Sequence, residues 1–228
     1  MSNKLKDNVL FINVDGIGLD LFNFHSEYRI RKVNEIKHFL IQNGCKVKLL
    51  NPTKLADIKI PNFKIQSAPK SNEYTDELDY SIFIIKHLYH YIKNENFTHI
   101  IIFQYDGFPV KIDSWDDEFL NFDLIGNTDF QIDENENIEI DNLFSLEKNR
   151  QGMHFNGGFS LRSRSVLEKC LEIPMSNFTN LYKKYGCTNE DLLLLDCIDY
   201  NKIALNKKII RKFVDNKIET QSFGFHKK

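Results

Sequence analysis

Strand, helix and strand follow one another within the first fifty residues, and that order constrains the fold more than any other feature. VLFINV (9–14) is a continuous apolar run closed by Asp15-Gly16, which reads as a buried strand ending in a turn. Tyr28, Ile30, Val33, Ile36 and Leu40 recur at helical spacing, so 27–43 is expected to be an amphipathic helix, with Gly44 where a helix end favours φ > 0. KVKLL (46–50) then alternates as a second strand. This is a βαβ unit, which requires a parallel sheet with helices packed on it.

The rest of the chain extends the pattern. Leu78, Ile82, Ile85, Tyr89 and Ile92 form a second helical stripe, with Thr75 placed to cap it. THIIIFQ (98–104) is the clearest strand, apolar enough to be buried on both faces, and it ends in the turn Tyr105-Asp106-Gly107-Phe108-Pro109. A short helix over 114–121, a strand at FDLIG (122–126) and a strand entered through Gly157-Gly158 (154–163) come next. Helical pieces at 163–172, 176–185 and 189–199 follow, and the last 30 residues are less periodic. Pro52, Pro61 and Pro69 mark 51–75 as mostly loop, with a short strand at Phe63–Gln66. Residues 127–150 are acidic and Asn-rich and are expected to be a mobile insertion. With no internal repeat and no sharp change of composition, 1–228 is expected to be one α/β domain with a mainly parallel central sheet flanked by helices.

Composition removes several classes of function. Hydrophobic residues at 42% and charged residues at 27% exclude a disordered or fibrous chain. No apolar run nears the ~18 residues of a membrane span, and the N-terminus carries no secretion signal, so a cytoplasmic protein is expected. A net charge of −2 argues against a dedicated nucleic-acid binder. The charge is uneven, however: residues 113–147 hold twelve acids and no Lys or Arg, while 199–228 hold eight Lys or Arg and three acids. Cys45, Cys170, Cys187 and Cys197 form no metal-ligand spacing and are expected to be reduced core thiols. Phosphate-loop, dinucleotide-fingerprint, nucleophile-elbow and zinc-protease motifs are absent.

The candidate site residues each have an ordinary reading beside a functional one. Asp15 and Asp106 end predicted parallel strands, where Asp forms turns and where α/β sheets also bind ligands. Gly157-Gly158 is a hairpin turn or a backbone that a ligand can approach closely. Glu190-Asp191 opens an apolar helical run, favoured there by the helix dipole or held at a cleft as a general base. Their side chains leave the helix about 100° apart, so one alone is expected to face a cleft squarely. His226 is a tail residue or, given Phe223-Gly224-Phe225 before it, a packed imidazole able to bind metal.

Taken together, DYSIF (79–83), IIIFQYDGFPV (100–110), WDDEFLNFDLIG (115–126) and NGGFSLRSR (156–164) resemble a family of bacterial and viral glycosyltransferase-like proteins long catalogued as a domain of unknown function. NEDLLL (189–194) and SFGFH (222–226) are similar to its later motifs. The resemblance implies a GT-A-like (Rossmann-like) fold and a metal-dependent transfer of sugar from a nucleotide-sugar donor, a UDP-sugar first among them, to an acceptor hydroxyl with inversion. It implies Mn²⁺ or Mg²⁺ held by Asp106 and His226, with Gln104-Tyr105-Asp106 matching an Asp-x-Asp-like motif that keeps only its second carboxylate. By the same resemblance Asp15, Asp79, Tyr80 and Asp106 bind the donor, Asn156, Gly157 and Gly158 line the acceptor side, and Asp191 is the base with Glu190 supporting it. Gly126-Asn127-Thr128-Asp129 departs from the Gly-Ala-Pro-Trp usual after that strand, so the acceptor is open: a glycan, another hydroxyl compound or a modified DNA base. The alternatives are a retaining or hydrolytic variant and a catalytically inactive module that binds nucleotide sugar or glycan.

Overall fold

Val9–Asn13 (β1) is apolar almost throughout because both of its faces are covered. The computed structural model describes residues 3–14, 24–50, 80–128, 155–185, 189–195, 202–204, 206–218 and 221–226. Here β1 pairs in parallel with Lys46–Leu49 (β2) on one side and His99–Phe103 (β3) on the other. Gly107–Pro109 (β4) leaves this sheet, and Leu124–Thr128 (β5) and Phe155–Ser163 (β6) complete it. The order is β2-β1-β3-β6-β5, with β6 antiparallel to both of its neighbours. Four strands therefore share one direction and β6 alone is reversed. The expected mainly parallel sheet is a mixed one, because the reversed strand lies inside it and makes two of its four pairings antiparallel.

Strand alternation assigns the two faces. Val9, Phe11, Ile101 and Phe103 pack with Val33, Ile36 and Leu40 of the helix Phe24–Gln42. Leu10, Ile12, Ile100 and Ile102 pack on the other face with Phe83, Ile84, Leu88 and Ile92. Tyr28 and Ile30, expected in the first stripe, are 51% and 53% exposed. On a 3.6-residue period each points roughly 90° or more away from the mean direction of the other three, so the buried stripe is narrower than its sequence pattern. Gly44 closes this helix at φ 73°. The second helix is not uniform: Phe83–His87 is a π-helical turn leading into the α-helical Leu88–Ile92, and Ser81–Ile85 are all buried as a result. In place of one short helix over 114–121 there are two 3₁₀ turns, Ile112–Ser114 and Asp117–Asn121.

The C-terminal part holds more order than its weak periodicity implies. The helix Lys207–Phe213 leads into Val214–Asp215 (β7), and Gly224–His226 (β8) joins β7 to β4 in a small sheet ordered β4-β8-β7. Aromatic packing fixes this segment. Phe213 stacks on Phe159 at 5.1 Å between ring centroids, and Trp115 meets Phe223 edge-on at 5.2 Å. A methyl group on Gly224 would strike the Phe159 ring.

Cys45 and Cys170 are buried and stand in no disulfide. No described helix is long and apolar enough to cross a membrane. The readings for Asp15, 51–75, Thr75, Leu78, Asp79, Cys187, Cys197 and the insertion from 129 to 150 lie outside the described residues.

Candidate functional site

Reversal of β6 has a direct consequence for the site. Its N-terminal end lies at the carboxyl ends of the parallel strands, where α/β sheets bind ligands. Ile102 pairs with Ser160, so Gly158 falls beside Gln104, one step past the end of β3. Gln104 and Gly107 exchange backbone hydrogen bonds of 2.7 and 3.3 Å around Tyr105-Asp106, which makes a two-residue turn. Beyond that turn β4 sets Gly107 opposite His226 of β8. The residue next to Asp106 is thus paired with His226, which lies 120 positions from Asp106 in sequence.

Glycines allow this crowding. A methyl on Gly107 would collide with the His226 ring and lie 3.1 Å from the Gly158 carbonyl oxygen. A methyl on Gly158 would lie 2.6 Å from both Gln104 Oε1 and His226 Nε2. Gln104 Nε2 in turn donates to the Tyr80 hydroxyl at 3.3 Å. Gly157-Gly158 is therefore not a hairpin turn, as its ordinary reading supposed. It lies within β6, where the β5 pairing steps from Gly126–Ser160 to Asn127–Asn156 and leaves 157–159 bulged.

A second cluster grips the same bulge. Asp191 Oδ2 accepts the Gly157 N–H at 2.8 Å, and Ser160 Oγ donates to the Gly157 carbonyl at 2.9 Å. Arg162, fully buried on β6, donates from Nη2 to Glu190 Oε1 at 3.1 Å and to Asp191 Oδ1 at 3.2 Å. Glu190 is anchored from the far side, where Ser81 Oγ donates to its carboxylate at 3.3 Å and accepts its backbone N–H at 3.1 Å. The two acids open the helix Glu190–Leu195, yet both reach one nitrogen. Both carboxylates converge on Arg162 because Ser81 and Gly157 each draw one oxygen of a carboxylate and leave the other to meet the guanidinium.

Burial and charge set the protonation of this cluster. Desolvation first, and then the Glu190 carboxylate, raise the Asp191 carboxyl well above its ordinary value near 3.8, while Arg162 and the Gly157 N–H oppose the rise. Burial works against the Arg162 charge, but Glu190 and Asp191 outweigh it and hold the guanidinium protonated. A carboxyl lifted toward neutrality at the carboxyl ends of an α/β sheet's strands has the properties of a general acid or base.

The opposite pole suits a cation. Asp106 Oδ1 is buried and makes no hydrogen bond, and a buried carboxylate oxygen without a donor is a ready metal ligand. One carboxylate and one imidazole match the mixed ligands that Mn²⁺ accepts, and Mg²⁺ accepts the carboxylate with ligand phosphates. Among the described residues no group of three or more His, Cys, Asp or Glu gathers for a metal, so the remaining ligands would come from a bound molecule.

Tyr80, Asp106, Gly157, Gly158, Glu190, Asp191 and His226 are thus gathered around one strand edge. Asn156 lies on β6 beside them, its side chain outside the described residues, as are Asp15 and Asp79 altogether. Sequence reasoning missed Arg162, Ser160, Ser81 and Gln104 as site members. One signal was present: FSLRS alternates apolar and polar residues, and in an interior strand its polar positions must be buried and matched. No curated protein and no solved structure matches the chain. Residues 62–226, which run from before Tyr80 to His226, match the family described as protein of unknown function (DUF5672), and the chain belongs to that family.

Proposed function

We propose that the chain is a metal-dependent glycosyltransferase of GT-A type that moves a sugar from a nucleotide-sugar donor to an acceptor hydroxyl with inversion. The observation that carries the reading is the meeting of two unlike poles across the Gly157-Gly158 bulge. Asp106 and His226 stand on one side, and the Arg162-held acids Glu190 and Asp191 on the other. Sugar transfer needs both: charge stabilisation for a departing nucleoside diphosphate, and a base for the attacking hydroxyl.

Asp106 and His226 would hold Mn²⁺ or Mg²⁺, which supplies Lewis-acid stabilisation of the diphosphate. Asp191 takes the acceptor proton as the new bond to the sugar forms, and its raised pKa suits that task near neutral pH. The nearby Glu190 carboxylate raises the affinity of Asp191 for that proton and so strengthens it as a base. Tyr80 and Gln104, hydrogen-bonded to each other, line the donor side. The bulge presents its backbone between donor and acceptor, and Gly157 and Gly158 leave no side chain in the way.

Incubation with a panel of nucleotide sugars, UDP-sugars first, and Mn²⁺ tests the reading by release of nucleoside diphosphate, with glycans and hydroxymethylated DNA as acceptors. Acceptor-dependent release that chelation or D106N abolishes is the expected result. Gln104, where a first metal carboxylate would stand, instead bonds Tyr80, and this favours a second reading as an inactive sugar-nucleotide binder. Donor binding with no release under any acceptor would select that second reading. Chelator-resistant turnover would remove the metal from the first.

A further inference from the structure

The Arg162 guanidinium is only half used. Nε donates to Ser160 Oγ at 3.1 Å, and Nη2 alone meets both carboxylates. Nη1 is buried and makes no hydrogen bond, although it carries two N–H donors. A lysine could hold two carboxylates with one nitrogen, so the second guanidinium nitrogen is surplus to the ion pairs. In the residue directly before Glu190, the Asn189 Oδ1 acceptor is also buried without a partner. An enclosed donor or acceptor left unmade is costly. A hydroxyl, which both donates and accepts, can answer either of them.

Local charge narrows the ligand further. One guanidinium faces two carboxylates, so the cluster carries −1 with both acids ionised and zero with one protonated. In a desolvated place neither state attracts an anion, since like charges repel strongly where water is excluded. A phosphate or a uronate would add negative charge; a neutral hydroxyl adds none.

We propose that Arg162 is a sugar-binding residue whose Nη1 takes a hydroxyl oxygen of the ligand, and that this pole selects uncharged sugars against uronates and phosphates. The identity of the ligand rests on the sugar-transfer reading, but the claim concerns binding and does not require turnover.

The test uses the full chain and saturation-transfer NMR with neutral methyl hexosides, methyl glucuronide and inorganic phosphate. A neutral hexoside should bind roughly tenfold or more tightly than glucuronide or phosphate, about the worth of one well-made hydrogen bond. R162K keeps the charge and deletes the second nitrogen, and it should weaken the hexoside about tenfold and shrink the preference. A second arm needs no variant: in wild-type protein labelled with ¹⁵N-arginine, the hexoside should shift the slowly exchanging Arg162 Nη–H signals. Glucuronide or phosphate binding as tightly as every hexoside, absence of hexoside binding, R162K binding unchanged, or unmoved Arg162 signals would each overturn the proposal. Hexoside binding as expected, with no diphosphate released from any nucleotide sugar, would instead sink the transfer reading and leave this one standing.

Discussion

Among the described residues, two acidic pairs stand at helix starts, Asp116-Asp117 and Glu190-Asp191, and the fold handles them in opposite ways. Asp116 caps the 3₁₀ turn Asp117–Asn121, accepts the Glu118 N–H at 3.0 Å and meets Lys212 at 2.9 Å. The Lys212 and Asp116 side chains are 42% and 37% exposed. Around Arg162, Glu190 and Asp191 the corresponding figures are 0%, 6% and 10%. Helix-start acids have the same local reason in both places, the positive end of the helix dipole. What differs is the strand or helix that brings the cation. Lys212 comes from the exposed face of a helix whose other face is buried, whereas Arg162 comes from an interior strand. The same sequence pattern is a solvated rim in one case and a desolvated charge cluster in the other.

The comparison is broken or sharpened first by R162M, which should do the most damage. It would leave two buried carboxylates facing each other with no cation, and losing one partner of a buried ion pair costs about 3–5 kcal/mol. Urea unfolding should show a loss of that order, and sugar transfer should fail with it. A loss no larger than that of K212M would show that the buried cluster is energetically like the exposed one.

D191N should be the next largest, and its effect should fall on activity more than on the fold. On the transfer reading it cuts kcat by about 10²–10⁴, the range for loss of a general base, with little change in donor affinity; D117N at the rim should change nothing. Removing this charge leaves Arg162 and Glu190 balanced one to one, so D191N should be far less destabilising than R162M at neutral pH. The pH dependence has a definite sign. The folded Asp191 pKa lies above its value near 3.8 in the unfolded chain, so between the two the native state binds more protons. Its contribution is fully present below about pH 3.8 and is lost as pH rises through the folded value. Thermal melts across pH should show that decline in wild type and its absence in D191N. Full activity in both D191N and E190Q would move the base elsewhere.

G157A follows. A methyl there would lie 2.6 Å from Arg162 Nη2 and collide with Asp191 Oδ1, so the cluster must shift off the bulge. Overpacking of this kind costs about 1–3 kcal/mol, and rescue by D191G in the double variant would show that the clash is with that carboxylate.

Much of this was legible in the sequence, and the part that was not has a physical reason. The βαβ start, the strand at His99–Phe103 and the turn carrying Asp106 are local patterns, and each appears where the periodicity sets it. The reversal of β6 is not local. Strand direction depends on which neighbours it finds, and an apolar-polar alternation such as FSLRS reads the same in either direction. Arg162 escaped notice for the same reason, since its burial follows from β6 lying between β3 and β5 and not from its neighbours in sequence. The pairing of His226 with the residue next to Asp106 depends on the three-residue strands β4 and β8, too short to have a period.

The smallest effect is expected at the rim, from K212M. Lys212 pairs with Asp116 at 2.9 Å and with Glu118 at 3.7 Å, all three more than a third exposed. Exposed pairs of this kind are worth about 0–1 kcal/mol, because water screens the attraction and two long side chains lose freedom to hold one geometry. For a chain of this size that is a shift in Tm of less than about 4 °C. It should disappear in 1 M salt, where the screening length falls to about 3 Å, whereas the loss in R162M should persist because the buried charges are shielded from added ions. Asp116 gives the opposite pH sign to Asp191: the Glu118 N–H first, and Lys212 second, hold its carboxyl below the ordinary value. Its contribution is therefore present above about pH 3.8 and lost as pH falls through the lowered folded value. K212M should trim this acid-side loss without removing it, since the backbone N–H remains. A salt-insensitive loss of several kcal/mol in K212M would mean that the exposed cluster is as desolvated as the buried one, and the contrast between the two acidic pairs would fail.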